Sequence, residues 1–179
     1  MRVFYGLIIT AVILMIGACA LKAYKKEGAL ARVVFLYELG AFICGIIFLV
    51  YTYVPGTTIT VLCKGLIMAS FDWLLVLLMY YTQYYTGLFK GVVGVKVFMI
   101  AYSLLETVAF LINTWTRWIF DITDISGDQI IVQFAKGNVL GRLHYVFAYG
   151  IMLLLILSYI VMVKRMSRFY RFRYFAILI

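Results

Sequence analysis

Few residues of this chain are equipped for chemistry, and those that are lie in or beside long apolar runs. Glu38, Asp72 and Glu106 each interrupt a stretch of Leu, Ile, Val, Met and Phe, while Lys64 and the sole histidine, His144, stand near the ends of two such stretches. A charged side chain held in hydrocarbon costs at least about 2.5–3.5 kcal/mol unless it is paired or wetted. Residues of this kind form a ligand site, relay protons or hydrogen-bond neighbouring helices, and all three roles require partners from other segments. Asp72 lies about 12 Å of helix rise inward of Lys64, close to the middle of its run, and is the most costly of the group.

The set expected to bind a ligand is Lys64, Asp72, Glu106, His144 and Tyr145. Tyr145 and Tyr149 stand one helical turn apart beside His144 and line an outward-facing pocket or simply pack there. Lys64 would favour an anionic group, and the alternative is that Lys64 and His144 snorkel to lipid headgroups. No catalytic residue is expected. The chain has no GxSxG, P-loop or HExxH, and one histidine cannot serve a metalloprotease as both ligands. Paired carboxylates such as Asp72 and Glu106 are able to catalyse, but nothing in their spacing singles this out. Cys19, Cys44 and Cys63 lie within or at the ends of apolar runs with no CxxC, so neither a disulfide framework, a metal site nor a cofactor is indicated. Asp121, Asp124 and Asp128 match no EF-hand spacing and read as solvated loop charges.

The elements that must position these groups are long and apolar. A bilayer core of about 30 Å needs about 20 helical residues, and the runs 3–23, 33–53, 59–81, 95–112 and 145–163 all come close. With 66% hydrophobic residues, 13% charged and a mean hydropathy of +1.08, the composition lies outside the soluble range, so lipid must solvate the excess. The expected fold is an all-α integral membrane bundle of five transmembrane helices, forming one membrane domain over residues 1–179. A sixth helix begins at Tyr174 and is cut short at Ile179. The long connection 113–144 alternates around 119–124, carries turn residues at Ser126-Gly127-Asp128 and continues as Ile130-Ile131-Val132-Gln133-Phe134. It predicts an extracytoplasmic β-hairpin capping the bundle between helices 4 and 5.

The net charge of +9 would suggest nucleic acid in a soluble protein. Here the basic residues cluster in alternate gaps. Lys22, Lys25, Lys26, Arg32, Lys90, Lys96, Lys164, Arg165, Arg168, Arg171 and Arg173 fall on one side, against Arg2, Lys64, Arg117, Lys136 and Arg142 on the other. The positive-inside rule then places the protein in the cytoplasmic membrane as a multi-pass chain, with its N-terminus outside and its tail in the cytoplasm. The first run ends in Ile16-Gly17-Ala18-Cys19, which loosely fits a lipoprotein signal. Its positive charges follow the apolar core instead of preceding it, which favours a retained helix.

The chain also resembles a family. Lys64-Gly65 leading into Phe71-Asp72-Trp73-Leu74-Leu75 and Tyr81-Thr82-Gln83-Tyr84-Tyr85-Thr86-Gly87, then Leu111-Ile112-Asn113, His144-Tyr145-Val146-Phe147-Ala148-Tyr149 and Arg168-Phe169-Tyr170-Arg171, are similar to the N-terminal seven-helix sensor region of bacterial histidine kinases and diguanylate cyclases. The resemblance implies two further helices after Tyr170-Arg171 and then a cytoplasmic output domain, and the motifs of both are missing here. It implies an input module of a signal-transduction protein that passes an extracytoplasmic or membrane signal inward. Expected partners are membrane lipids, a small-molecule ligand, an output domain of the same polypeptide and a second copy of the chain, with no nucleic acid. The other reading is a small transporter or channel subunit that uses the intramembrane charges as a path.

Overall fold

The computed structural model describes residues 2–87, 92–126 and 129–165. Their order is α1 (Arg2–Tyr24), α2 (Ala29–Tyr53), α3 (Thr57–Thr86), α4 (Val93–Thr116), β1 (Phe120–Ser126), β2 (Gln129–Phe134) and α5 (Val139–Arg165). All five helices are long and apolar enough to cross a membrane, and the β-hairpin stands between α4 and α5 as expected. The short run from Tyr174 and the basic residues Arg168, Arg171 and Arg173 lie outside the described residues.

The helices outrun the apolar stretches that announce them, chiefly at the hairpin end. α4 continues to Thr116 through Asn113 and Thr114, and α5 begins at Val139, ahead of Arg142 and His144. Polar residues depress a hydropathy window without breaking a helix, because the backbone hydrogen-bond ladder is indifferent to them. Real stops come from the backbone. α3 closes on Gly87 in the left-handed region, φ 69°, whose N–H bonds the Gln83 carbonyl; α4 closes on Arg117, φ 52°, whose N–H bonds that of Asn113.

α3 is the central post. It packs against α2, α4, α5 and both strands, whereas α2 has no fully buried residue and carries α1 on its side. The buried residues of α3 include Val61, Gly65, Ala69, Asp72, Val76, Met79 and Gln83, and those of α4 include Met99, Ser103, Glu106, Phe110 and Asn113. Both series step by three or four residues and so form single stripes along one helix face. Gly65 lets the stripes meet closely, since a Cβ there would lie 3.1 Å from the Phe110 carbonyl oxygen. Outward-facing Leu14, Met15, Val146, Leu153 and Trp115 are all more than half exposed, an apolar surface that hydrocarbon would solvate better than water.

The hairpin is antiparallel, pairing Phe120 with Phe134 and Ile122 with Val132, with an irregularity between Ile122 and Asp124. It is anchored from below. The Asn113 side-chain oxygen accepts the backbone N–H groups of both Ile119 and Phe120, and Asn138 Nδ2 donates to the Trp118 carbonyl at 2.8 Å. Ile119, Phe120 and Val132 are buried against Val61, Ala69 and Phe110. Its base is therefore a plug sunk into the bundle.

Candidate functional site

Two apolar layers divide the interior. One holds Val61, Ala69, Phe110 and the base of the hairpin, and the other holds Leu75, Val76, Met79, Met99, Phe147, Ile151 and Leu155. Between them lies a polar centre made of Asp72 from α3, Glu106 from α4 and His144 from α5. Asp72 and Glu106 are 0% exposed and His144 is 3% exposed. His144 Nδ1 is 3.1 Å from Glu106 Oε2 and 3.3 Å from Asp72 Oδ2. One donor atom from each residue can be chosen so that all lie within 4.8 Å of one another.

The surroundings orient Glu106 more firmly than Asp72. The Tyr102 hydroxyl donates to Glu106 Oε1 at 2.7 Å from one turn earlier on α4, and the Tyr102 ring lies on Phe147 of α5 with centroids 4.1 Å apart. Trp73, next to Asp72, donates its Nε1 proton to Thr107 Oγ1 at 3.0 Å and so ties α3 to α4 beside the centre. Neither oxygen of Asp72 has a hydrogen-bond partner of good geometry, and neither does Ser103 Oγ, buried one turn before Glu106. In a low-dielectric interior an unsatisfied polar group is costly, so the centre as it stands has unspent acceptor capacity.

Aromatic rings close it on the hairpin side. Phe110 meets His144 edge-on at 5.7 Å, Phe134 lies 6.2 Å from the imidazole, and Phe120 bridges both with centroid separations of 5.3 and 4.6 Å. Asp72, Glu106 and His144 are thus one sealed unit, joining the three helices on which the sequence placed them. His144 lies near the end of α5 as expected, in its second turn, and is buried under the hairpin.

The other two residues expected at a ligand site are not among the three converging donors, although the Tyr145 ring lies 5.7 Å from that of His144. Lys64 is half-buried, two turns before Asp72 and beside the buried stripe of α3, and is not among the converging donors. Tyr145 is 45% exposed, with its ring against Phe134 and Tyr149. Glu38 is half-buried on α2 and also stands outside the cluster. A cavity of about 700 Å³ opens between the hairpin-side ends of α1 and α2 and strand β2, lined by Tyr5, Phe48, Tyr51, Pro55, Thr60 and Ile131 among others, and none of the five expected residues borders it. Sequence reasoning passed over Tyr102, whose position four residues before Glu106 was the available signal. Compared with protein-family models, curated proteins and solved structures, the chain matches none.

Proposed function

We propose that this chain is a membrane-embedded input module in which the Asp72–Glu106–His144 centre is the element that changes state. The observation that carries the reading is the placement of every one of those ionisable groups on a different helix, with α3 as the common partner. A change of charge at such a junction alters the attraction between three helices at once, and packed helices answer by discrete shifts. α3 and α5 run from the centre towards the opposite end of the bundle, where Lys164 and Arg165 close α5. The movement is therefore delivered at the end where the basic residues gather.

The charge distribution supports an N-terminus and hairpin outside the cytoplasmic membrane, with the basic end in the cytoplasm. The likeness to the sensor regions of histidine kinases and diguanylate cyclases supports the same direction of signal and an output domain as recipient. A carrier or channel subunit finds less support, because α3, α4 and α5 pass Asp72, Glu106 and His144 as unbroken helices, without the discontinuities that form many transport sites.

The test is a distance measurement on the chain in lipid vesicles. Spin labels at Tyr84→Cys and Ile160→Cys, in a background with the native cysteines replaced, report the α3–α5 separation by pulsed dipolar spectroscopy. Asp72→Asn and Glu106→Gln are expected to shift the distribution by about 1–2 Å, the scale of helix displacement in switching proteins. Identical distributions in folded variants would leave the centre as a static pin and end this reading.

A further inference from the structure

Asp72, Glu106 and His144 present three electron-rich atoms to one point. An imidazole nitrogen has either a single proton or a single lone pair to offer, so Nδ1 at 3.1 and 3.3 Å from two carboxylate oxygens cannot satisfy both. Something positive must lie among them, and either a shared proton or a cation would serve. Three observations favour the cation.

The first is metric. A tetrahedral ion with metal–ligand bonds of about 2.0–2.1 Å sets its donors about 3.3 Å apart, and an octahedral one about 2.9 Å. The two separations that His144 makes, 3.1 and 3.3 Å, fall between these edges and all donors lie within 4.8 Å of one another, so a modest side-chain adjustment admits an ion. The second is the state of Asp72, whose two oxygens are completely buried and have no hydrogen-bond partner of good geometry, with Oδ2 facing His144 Nδ1 at 3.3 Å. A proton shared with His144 would engage only one of them. The third is charge. Two carboxylates and a neutral imidazole around a divalent ion sum to zero, which removes the cost of burying unpaired charge deep in an apolar bundle.

We infer that Asp72, Glu106 and His144 form a binding site for a divalent first-row transition cation of the zinc class. The nitrogen donor selects against magnesium and calcium, which take oxygen ligands, and the lack of a thiolate among the donors selects against soft ions. Tyr102, bonded to the outer oxygen of Glu106, orients that ligand in the way partners of metal-bound carboxylates do. Among the described residues three converge, which leaves a coordination position open, as in exchangeable sites and unlike closed structural ones. The cation is then the signal of the proposed input module, and in that role the inference rests on that reading; the binding itself rests on the donor geometry.

The experiment is zinc titration of the purified, folded chain in detergent micelles by calorimetry, with cobalt absorption as a second readout. One zinc ion per chain is expected, unaffected by millimolar magnesium or calcium. His144→Ala and Asp72→Asn should weaken binding about 100-fold or more, and Glu38→Gln should leave it unchanged. No stoichiometric binding by the wild type, or binding that survives both centre substitutions, overturns the site. Should those variants fail to fold, zinc-edge X-ray absorption of the wild type decides. A shell with one imidazole and carboxylate oxygens at about 2.0–2.2 Å supports the site, and sulfur or water alone overturns it. Repeating the α3–α5 distance measurement with and without zinc separates the two ideas. Zinc bound without movement keeps the site and ends its role as the signal, while the charge variants still decide the input reading. Movement with the charge variants but no zinc binding ends the site and keeps the input reading.

Discussion

Tyr102 shows how a single hydroxyl determines what its neighbours can do. Its 2.7 Å bond holds one oxygen of Glu106 and leaves the other free to face His144. Tyr102→Phe removes that donor and nothing else. The expected loss is about 1 kcal/mol, the usual net contribution of one intramolecular hydrogen bond, read as a lower detergent-unfolding midpoint. Zinc affinity should fall by about tenfold in the same variant, as when an outer partner of a metal ligand is lost. Asn113 works by the same logic at the hairpin, where its one oxygen satisfies two buried backbone N–H groups. Asn113→Ala strands both, at about 1–3 kcal/mol each. Hydrogen exchange at the Ile119 and Phe120 amides should accelerate well before exchange in α3 changes. Of the residues at the centre, Asp72, Glu106 and His144 were all visible in the sequence as charges out of place in apolar runs. Their meeting was not, because donors spread over three helices leave no local spacing to read. Lys64 attracted notice as another charge in an apolar run and Tyr145 as a neighbour of His144 one turn from Tyr149, yet neither joins the three converging donors, and the rotation of a helix about its axis leaves little trace in composition.

At the scale of elements, α3 decides the architecture. Its stripe of Gly65, Ala69 and Asp72 is small where α4 must approach, and a Cβ at Gly65 would already stand 3.1 Å from the Phe110 carbonyl oxygen. Gly65→Ala calls for a few tenths of an ångström of adjustment, whereas Gly65→Leu drives a branched side chain into the Phe110 backbone. The expected cost of the larger change is about 1–3 kcal/mol, the usual range for overpacking. It should also separate the donors, so zinc binding falls together with stability in Gly65→Leu and neither moves far in Gly65→Ala. All five helices and the hairpin were legible from length, apolarity and turn residues. The helix ends were not. α5 begins six residues before the apolar run that announces it, since Arg142 and His144 hid its first turns, and that shift sets His144 within the helix, where it is buried.

For the whole molecule the remaining question is direction. If the basic end faces the cytoplasm, Lys136→Cys beside the hairpin should react with an impermeant maleimide added to intact cells, and Lys25→Cys should react only after lysis. The reverse pattern would invert the proposed flow of information. The ring cover over the centre carries one more consequence, and it concerns time. Phe110, Phe120 and Phe134 stand between His144 and the hairpin side, and Phe120 is held there by the backbone bonds to Asn113. An ion or proton arriving from that side must wait for the stack to part, so the rate of exchange is set by the opening of the hairpin base and not by the strength of binding. If the centre is the input element that we propose, such a cover makes it a low-pass filter, which averages over brief fluctuations and answers only to changes that outlast the cover's closed life.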